Sequence, residues 1–340
     1  AHSSDSCPAG SRHSPQGCAF SFSPSSLYFQ LMEEREITSH CPLLSSTGTL
    51  NVTGWARRPY FAYNRTVYRK KPVNLRERDS YTLYNPLKGY MISLVFCDWG
   101  IRGIHMLSYT DLKLGRSVSI TKTGRRNCAL AISSQADSYT SFQDKDCELT
   151  MTAVRKGDER YIIFNAPQLK LPDGTEGLLG DFTLFQPGSM ESLVTVSGSS
   201  DSRFFCIDES ILPLPSTSGF IRRGGSKDYL VQDQAAAFFS WQRSRQNDKA
   251  GWIHAFSICG GTPFVLGSGQ YSMMNAFFCS GKLTKLSQAD FNHHSDPEKP
   301  WHIACTGRDG ELDFIPQCIQ TEQKDGLTVI HGKFSGQLKD

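Results

Sequence analysis

Short β-forming runs recur along this chain at spacings of roughly ten residues, each closed by turn chemistry. That rhythm limits the fold more than any other feature of the sequence. Glu148-Leu149-Thr150-Met151-Thr152-Ala153 alternates polar and apolar residues, with Cys147 and Leu149 set on one face. Glu311-Leu312-Asp313-Phe314 alternates in the same way. Further β-rich runs are Ser80 to Tyr84, Tyr90 to Cys97, Ser117 to Thr121, Arg160 to Phe164, Leu179 to Phe185, Ser192 to Val196 and Leu327 to His331. Pro86-Leu87-Lys88-Gly89, Pro172-Asp173-Gly174, Pro187-Gly188, Arg308-Asp309-Gly310 and Lys324-Asp325-Gly326 punctuate them. Asp-Gly between β runs is a strong hairpin signal, because both residues tolerate the positive φ angles of tight turns. Helix signals are few. Leu27 to Glu34 suits a short helix, and Val231 to Trp241 mixes helix-favouring alanines with strand-favouring aromatics. The sum predicts an all-β fold, sandwich or barrel.

Pro213, Pro215, Ser216, Ser218 and Gly219 cluster between Asp208 and Arg223 and mark the best seam. They predict a loose N-terminal arm over 1–44, a first β domain over 45–212 and a second over 213–340. Gly332 to Leu338 still reads as a strand where the chain stops, so the last strand is expected to be cut short. At 340 residues, 39% hydrophobic and 20% charged with net charge +3, the chain can bury a sizeable core. Wholesale disorder, collagen and charged tails are excluded. No apolar run nears the roughly 20 residues of a transmembrane helix. The sequence opens Ala1-His2-Ser3-Ser4 without an initiator Met, which suggests a processed product, intracellular or organellar after loss of a targeting segment.

Eleven cysteines are present without a CxxC pair, so neither a zinc ribbon nor a thioredoxin-type site is encoded. Several lie in apolar runs and are expected to be reduced core thiols rather than a disulfide framework. Two sequons, Asn51-Val52-Thr53 and Asn64-Arg65-Thr66, would matter only in a secretory compartment. Gly267-Ser268-Gly269 lacks the third glycine and following helix of a nucleotide loop and is read as a turn. His293-His294 with Asp296 is read as a solvated loop, since adjacent histidines on an extended segment point apart. His105, His254, His302 and His331 are read as core or surface histidines. No metal and no cofactor is expected.

Between Arg57 and Arg78 stand eight basic residues and one acid, Glu77, interleaved with Tyr60, Phe61, Tyr63 and Tyr68. Phosphates and stacked bases suit such a stretch. The rest of the chain is near neutral and lacks RNA-binding signatures, so a protein-facing or lipid-facing surface is expected and nucleic acid is not.

Separated blocks carry a family resemblance. They are Gly54-Trp55-Ala56-Arg57-Arg58-Pro59, Asn275 through Gly281-Lys282, Lys299-Pro300-Trp301, Asp309-Gly310-Glu311-Leu312-Asp313-Phe314-Ile315-Pro316, and His331-Gly332-Lys333-Phe334. In order and spacing they resemble the family called domain of unknown function 2804, from about residue 45 to the C-terminus. At fold level that family is similar to the paired lipocalin-like barrels of carotenoid 1,2-hydratases and certain fungal Diels–Alderases. The resemblance implies two lipocalin-like antiparallel β-barrels or half-barrels in tandem.

Departures from the family pattern shape the functional expectation. An acidic Asp-Arg-Gly-x-x-Trp-Pro segment becomes Phe239-Ser240-Trp241-Gln242-Arg243-Ser244-Arg245, and Glu-Asn becomes Met274-Asn275. Protonating an isoprenoid double bond needs a buried acid. With those acids gone, the expectation is a weakly catalytic or non-catalytic protein that binds a lipid, isoprenoid or pigment. Its expected ligand-binding residues are Trp55, Trp241, Arg243, Trp252, His254, Tyr271 and Asn275. One alternative is an accessory subunit of a larger complex, docking through Arg57, Arg58, Arg69, Lys70 and Lys71. The other is a cofactor-free hydratase, isomerase or cyclase of a polyene, with Asp98, Asp233 or Glu311 as candidate acids.

Overall fold

The computed structural model describes residues 18–23, 35–68, 74–98, 102–125, 138–144, 146–198, 201–214, 216–230, 236–245, 252–257, 262–268, 272–294, 296–307, 309–322 and 327–339. Among them the protein is all-β, and its one helical element is the 3-10 turn Arg65–Val67. Three antiparallel sheets carry the fold. A central sheet of eight strands runs in the order Gly54–Ala56, Leu193–Gly198, Phe205–Leu214, Ala236–Arg245, Leu75–Asn85, Tyr90–Asp98, Arg102–Asp111 and Arg116–Arg125. A sheet of six strands runs Ser226–Leu230, Ser216–Arg223, Glu176–Phe185, Glu159–Lys170, Thr150–Lys156 and Ser138–Gln143. A sheet of nine strands runs Lys282–Lys285, Ala276–Cys279, Phe264–Gly267, Trp252–Ser257, Cys18–Ser23, Leu327–Leu338, Gly310–Glu322, Trp301–Cys305 and Ala289–Asn292. None closes edge to edge among the described residues, so the open alternative, rather than a closed barrel, describes the pairing.

Period-2 alternation decides what each face buries. In Leu75–Asn85, Tyr81 and Leu83 point to the six-stranded sheet and join Ile92, Leu94, Phe96 and Leu107 in a core with Met151, Ile162, Phe164 and Phe182. Burying each such side chain contributes about 1.5–3 kcal/mol. The same central face, further along, is covered by the segment 35–68 through Ile37, Leu43, Phe61 and Tyr63. On the opposite face, Trp55, Tyr84, Met91 and Leu193 pack against Val265, Met274, Ala276 and Phe278 of the nine-stranded sheet. The central sheet is therefore buried on both sides.

Several expectations change. Cys18–Ser23 and residues 35–44, both assigned to a loose arm, are built in: the strand pairs inside the nine-stranded sheet, and Leu43 and Leu44 are core. The seam at 212/213 falls inside Phe205–Leu214, and the strands after it pair back into the first two sheets. Sheet membership changes between Ala236–Arg245 and Trp252–Ser257, because backbone ladder demand rather than proline content fixes it. The ambiguous run ending at Trp241 is strand from Ala236, its aromatics outweighing its alanines; residues 231–235 and the helix expected at Leu27 to Glu34 lie outside the described residues. Cys147 does not share a face with Leu149. It turns the chain with φ 55° and is exposed, and the strand starts at Thr150. Cys97, Cys206 and Cys305 are buried thiols outside any disulfide, as expected, whereas Cys279 is disulfide-bonded.

Gly219 sits in the strand Ser216–Arg223 with φ 127°, where an added Cβ would strike the Asp181 carbonyl and the Phe182 backbone. Gly219→Ala is expected to lower stability by about 1–3 kcal/mol in urea denaturation. Gly225→Ala, at a site with open space, should leave the midpoint in place.

Candidate functional site

The inner face of the central sheet is apolar over most of its width and ionic at one end. Strand register aligns Glu209, Trp241, Asp79, Phe96 and His105 in one row, and Ile207, Arg243, Glu77 and Asp98 in the next. Across the gap, the six-stranded sheet aligns Arg155, Arg160, Leu184 and Thr217. Arg155 and Arg160 flank the exposed hairpin at Gly157, so this band lies directly beneath one end of the sandwich. Glu77, Asp79, Glu209, Arg160 and Arg243 are all buried, the two arginines completely.

The charges form a network rather than isolated pairs. Arg243 Nη1 donates to Asp79 Oδ1 at 2.9 Å and to the carbonyls of Gln242 and Arg78 at 2.8 and 3.0 Å. Its Nε stands 3.8 Å from Glu77 Oε1. Glu77 also accepts from the Tyr63 hydroxyl at 3.1 Å and from Arg65 at 2.7 Å, which ties the covering segment 35–68 to the sheet. Arg155 donates to Glu209 Oε2 across the gap at 3.4 Å, and Arg160 donates to Gln186 Oε1 at 2.7 Å. Burial, reinforced by Arg155 nearby, pulls the Arg160 guanidinium down to about 10. Burial, then the Asp79 charge, raises the Tyr81 phenol. Burial also raises the Tyr63 phenol, with the Glu77 carboxylate adding to it.

Other polar atoms in this interior are unmet. Glu209 Oε1, Thr217 Oγ1, Thr140 Oγ1 and both ring nitrogens of His105 have no hydrogen-bond partner among the described residues. His105 stacks on Phe142 with ring centroids 3.9 Å apart, and burial pushes it down to about 4 despite the opposing Asp98 charge. The far end of the sandwich closes differently. Tyr90 stacks on Tyr109 at 6.0 Å, and Arg223 bridges the Tyr109 hydroxyl and Asp228 at 3.1 and 2.8 Å.

The residues expected to form one ligand site are not brought together. Arg243 lies in the ionic band, and the backbone of Trp241 runs through it. Trp55 packs between the central and nine-stranded sheets, with the Arg57 guanidinium 5.2 Å from its ring. Asn275 is a backbone staple: its Oδ1 accepts from Gly267 N and its Nδ2 donates to Ser272 O, both at 2.8 Å. Trp252 and His254 sit on the strand Trp252–Ser257, paired with Ser23 and Ser21. Tyr271 lies outside the described residues, as do Asp233, Arg69, Lys70 and Lys71. Arg57 spends its bonds within the chain, on Glu36, Glu191 and the Leu283 carbonyl, so it does not serve as a free docking cation. Arg58 reaches the Gly188 carbonyl at 2.9 Å from an exposed position. Glu311 is a surface residue beside His302 rather than a buried acid.

Carboxylates are therefore not missing from the walls; they come from the first unit. Their signal was in phase. Leu75-x-Glu77-x-Asp79-x-Tyr81-x-Leu83, Phe205-x-Ile207-x-Glu209 and Arg160-x-Ile162-x-Phe164 each put a charge on the apolar face of its strand.

The fold and band define a layered all-β protein with ionisable groups sealed inside its first sandwich. The chain belongs to the family described as domain of unknown function (DUF2804), which matches residues 34–339. Among solved structures, an AttH-like protein from Nitrosomonas europaea aligns over 78% of this chain and 92% of its own, at 12% identity and TM-score 0.40. Kievitone hydratase from Nectria haematococca aligns over 77% and 88%, at 8% identity and TM-score 0.36. Scores of this size lend no weight to a shared fold or activity. No curated protein matches the chain. No helix among the described residues is long and apolar enough to cross a membrane.

Proposed function

We propose that the protein binds a hydrophobic small molecule of the lipid, isoprenoid or pigment class between the central and six-stranded sheets. One observation carries this reading: an ionic band of buried arginines and carboxylates ends an otherwise apolar interior. Burying charges is costly, and paired hydrophobic residues of similar volume would stabilise the same sandwich at least as well. A band kept at that cost suits a site where a few placed polar groups orient an apolar ligand.

The nine-stranded sheet suits the role of scaffold. Its inner face carries no buried charge among the described residues and packs as rings, with Phe314 and Phe264 centred 4.7 and 4.9 Å from Phe334 and Trp301 centred 6.3 Å from Phe314.

Organic extraction of the purified full chain, followed by mass spectrometry, is expected to release a hydrophobe in stoichiometric amount. A clean extract would overturn the proposal. Cofactor-free acid–base catalysis on the same ligand is the second reading, favoured by the three carboxylates lining the interior. It ranks second because Glu77, Asp79 and Glu209 are each committed to a guanidinium.

A further inference from the structure

The six-stranded sheet packs on the central sheet with one face, and its other face stands open. That outer face holds four of the seven large apolar side chains exposed among the described residues, Tyr139, Tyr161, Phe185 and Tyr229. Strand register sorts it into rows. One row runs Ser141, Thr152, Ile163, Asp181, Phe220 and Tyr229 from edge to edge. On one side of it lies Tyr139, Val154, Tyr161, Thr183 and Ser218, and on the other Gln143, Thr150, Asn165, Leu179, Arg222 and Lys227. Apolar residues scattered singly need no explanation, but rings gathered on one sheet face mark an interaction surface. The charges near them are engaged locally. The Tyr161 hydroxyl donates to Asp181, and Lys227 Nζ lies 3.8 and 4.8 Å from the ring centres of Phe220 and Tyr229. Aromatic enrichment with little free charge is the composition of a protein interface core.

The face is complementary to itself. The Tyr229 row is bulky at Phe220 and Tyr229 and slight at Ser141 and Thr152. In the Tyr139 row the order is reversed: Tyr139, Val154 and Tyr161 are bulky, Thr183 and Ser218 slight. A two-fold axis lying in the interface, parallel to the strands and between Glu159–Lys170 and Glu176–Phe185, exchanges the two ends of every row. Tyr229 then meets Ser141 of the other copy, Phe220 meets Thr152, Tyr161 meets Thr183 and Val154 meets Ser218. Arg222 and Lys227 meet Thr150 and Gln143, so no cation opposes a cation. Two sheets of equal twist also pack well face to face, with strand directions within about 30°. Five strand intervals of about 4.8 Å and six residues of about 3.3 Å enclose roughly 500 Å² of face. Two such faces bury about 1,000 Å², the lower bound for a specific interface, which suits a dimer of micromolar affinity.

We infer that two copies of this chain pair through the outer faces of their six-stranded sheets about that axis. The pairing uses the face opposite the proposed ligand site and stands independently of it. Sedimentation equilibrium of the purified full chain should show a monomer–dimer equilibrium in the micromolar range. Tyr229→Ser removes the ring and Ser141→Tyr fills the gap that receives it, so each alone should weaken the dimer about tenfold. Combined in one chain they exchange bulk and gap and should restore most of the affinity. The axis also brings the two Asp181 carboxylates near each other. Asp181→Asn, which keeps an oxygen for the Tyr161 hydroxyl, should therefore tighten the dimer several-fold. Leu87→Ser, at an exposed turn away from this face, should change nothing. A monomer at every concentration up to hundreds of micromolar would overturn the inference, whether the face meets another protein or another segment of the same chain. So would a dimer indifferent to both single substitutions, or a double variant weaker than either. A lower melting temperature for Tyr229→Ser, measured where monomers prevail, would show that the ring is already covered within its own chain and would overturn it too.

Discussion

Arg243→Met is expected to destabilise the protein by about 3–5 kcal/mol, the cost of removing one partner from a buried ionic group. Asp79 would lose its 2.9 Å hydrogen bond and Glu77 its nearest buried cation, while both carboxylates stay sealed from water. Two backbone carbonyls, of Arg78 and Gln242, would lose a donor as well. Urea denaturation followed by circular dichroism measures the loss directly. Adding Glu77→Leu and Asp79→Leu to the same chain should return most of it, because an apolar triad of similar volume removes the stranded charges. If the single substitution costs less than about 1 kcal/mol, the band is hydrated rather than buried and the ligand reading loses its foundation.

His105 gives the second large effect, and its sign is fixed. Its ordinary value is 6.5 and the fold holds it near 4, so between those limits the unfolded chain binds the extra proton. The stability it permits is complete above pH 6.5 and drains away as pH falls toward 4, amounting to about 3 kcal/mol once the loss is complete. His105→Phe keeps the stacking between Phe96 and Phe142 and has no proton to gain. Unfolding free energies of the two proteins should diverge steadily from pH 7 to pH 4, with the variant the more stable at the acid end. Parallel curves would show that the imidazole reaches water or an acceptor in the native state.

Much of the β architecture was legible, because turn residues and period-2 runs are local signals. Tyr90 to Cys97, Arg160 to Phe164 and Leu179 to Phe185 all lie within strands that extend beyond them. Boundaries between units were not legible. The prolines at 213 and 215 resemble a linker in sequence, yet Leu214 already pairs with Ala237, and only the three-dimensional ladder shows it. The ionic band is hidden for a subtler reason. Glu77 stands among basic residues in the sequence, whereas its phase with Leu75, Tyr81 and Leu83 places it on the core face. Arg243 was legible as a polar group of interest, but its partners come from strands about 165 residues away in sequence, a separation that spacing cannot bridge.

The strand Cys18–Ser23 lies between Trp252–Ser257 and Leu327–Leu338, pairing with both. During synthesis it leaves the ribosome more than two hundred residues ahead of either neighbour. The nine-stranded layer thus cannot be completed until Leu327–Leu338 has emerged, and the early strand must wait, unzipped, for both of its neighbours. A chaperone that shelters early segments would find its target there, and a rearranged gene placing this strand just ahead of Trp252 would shorten the wait for one of its two neighbours.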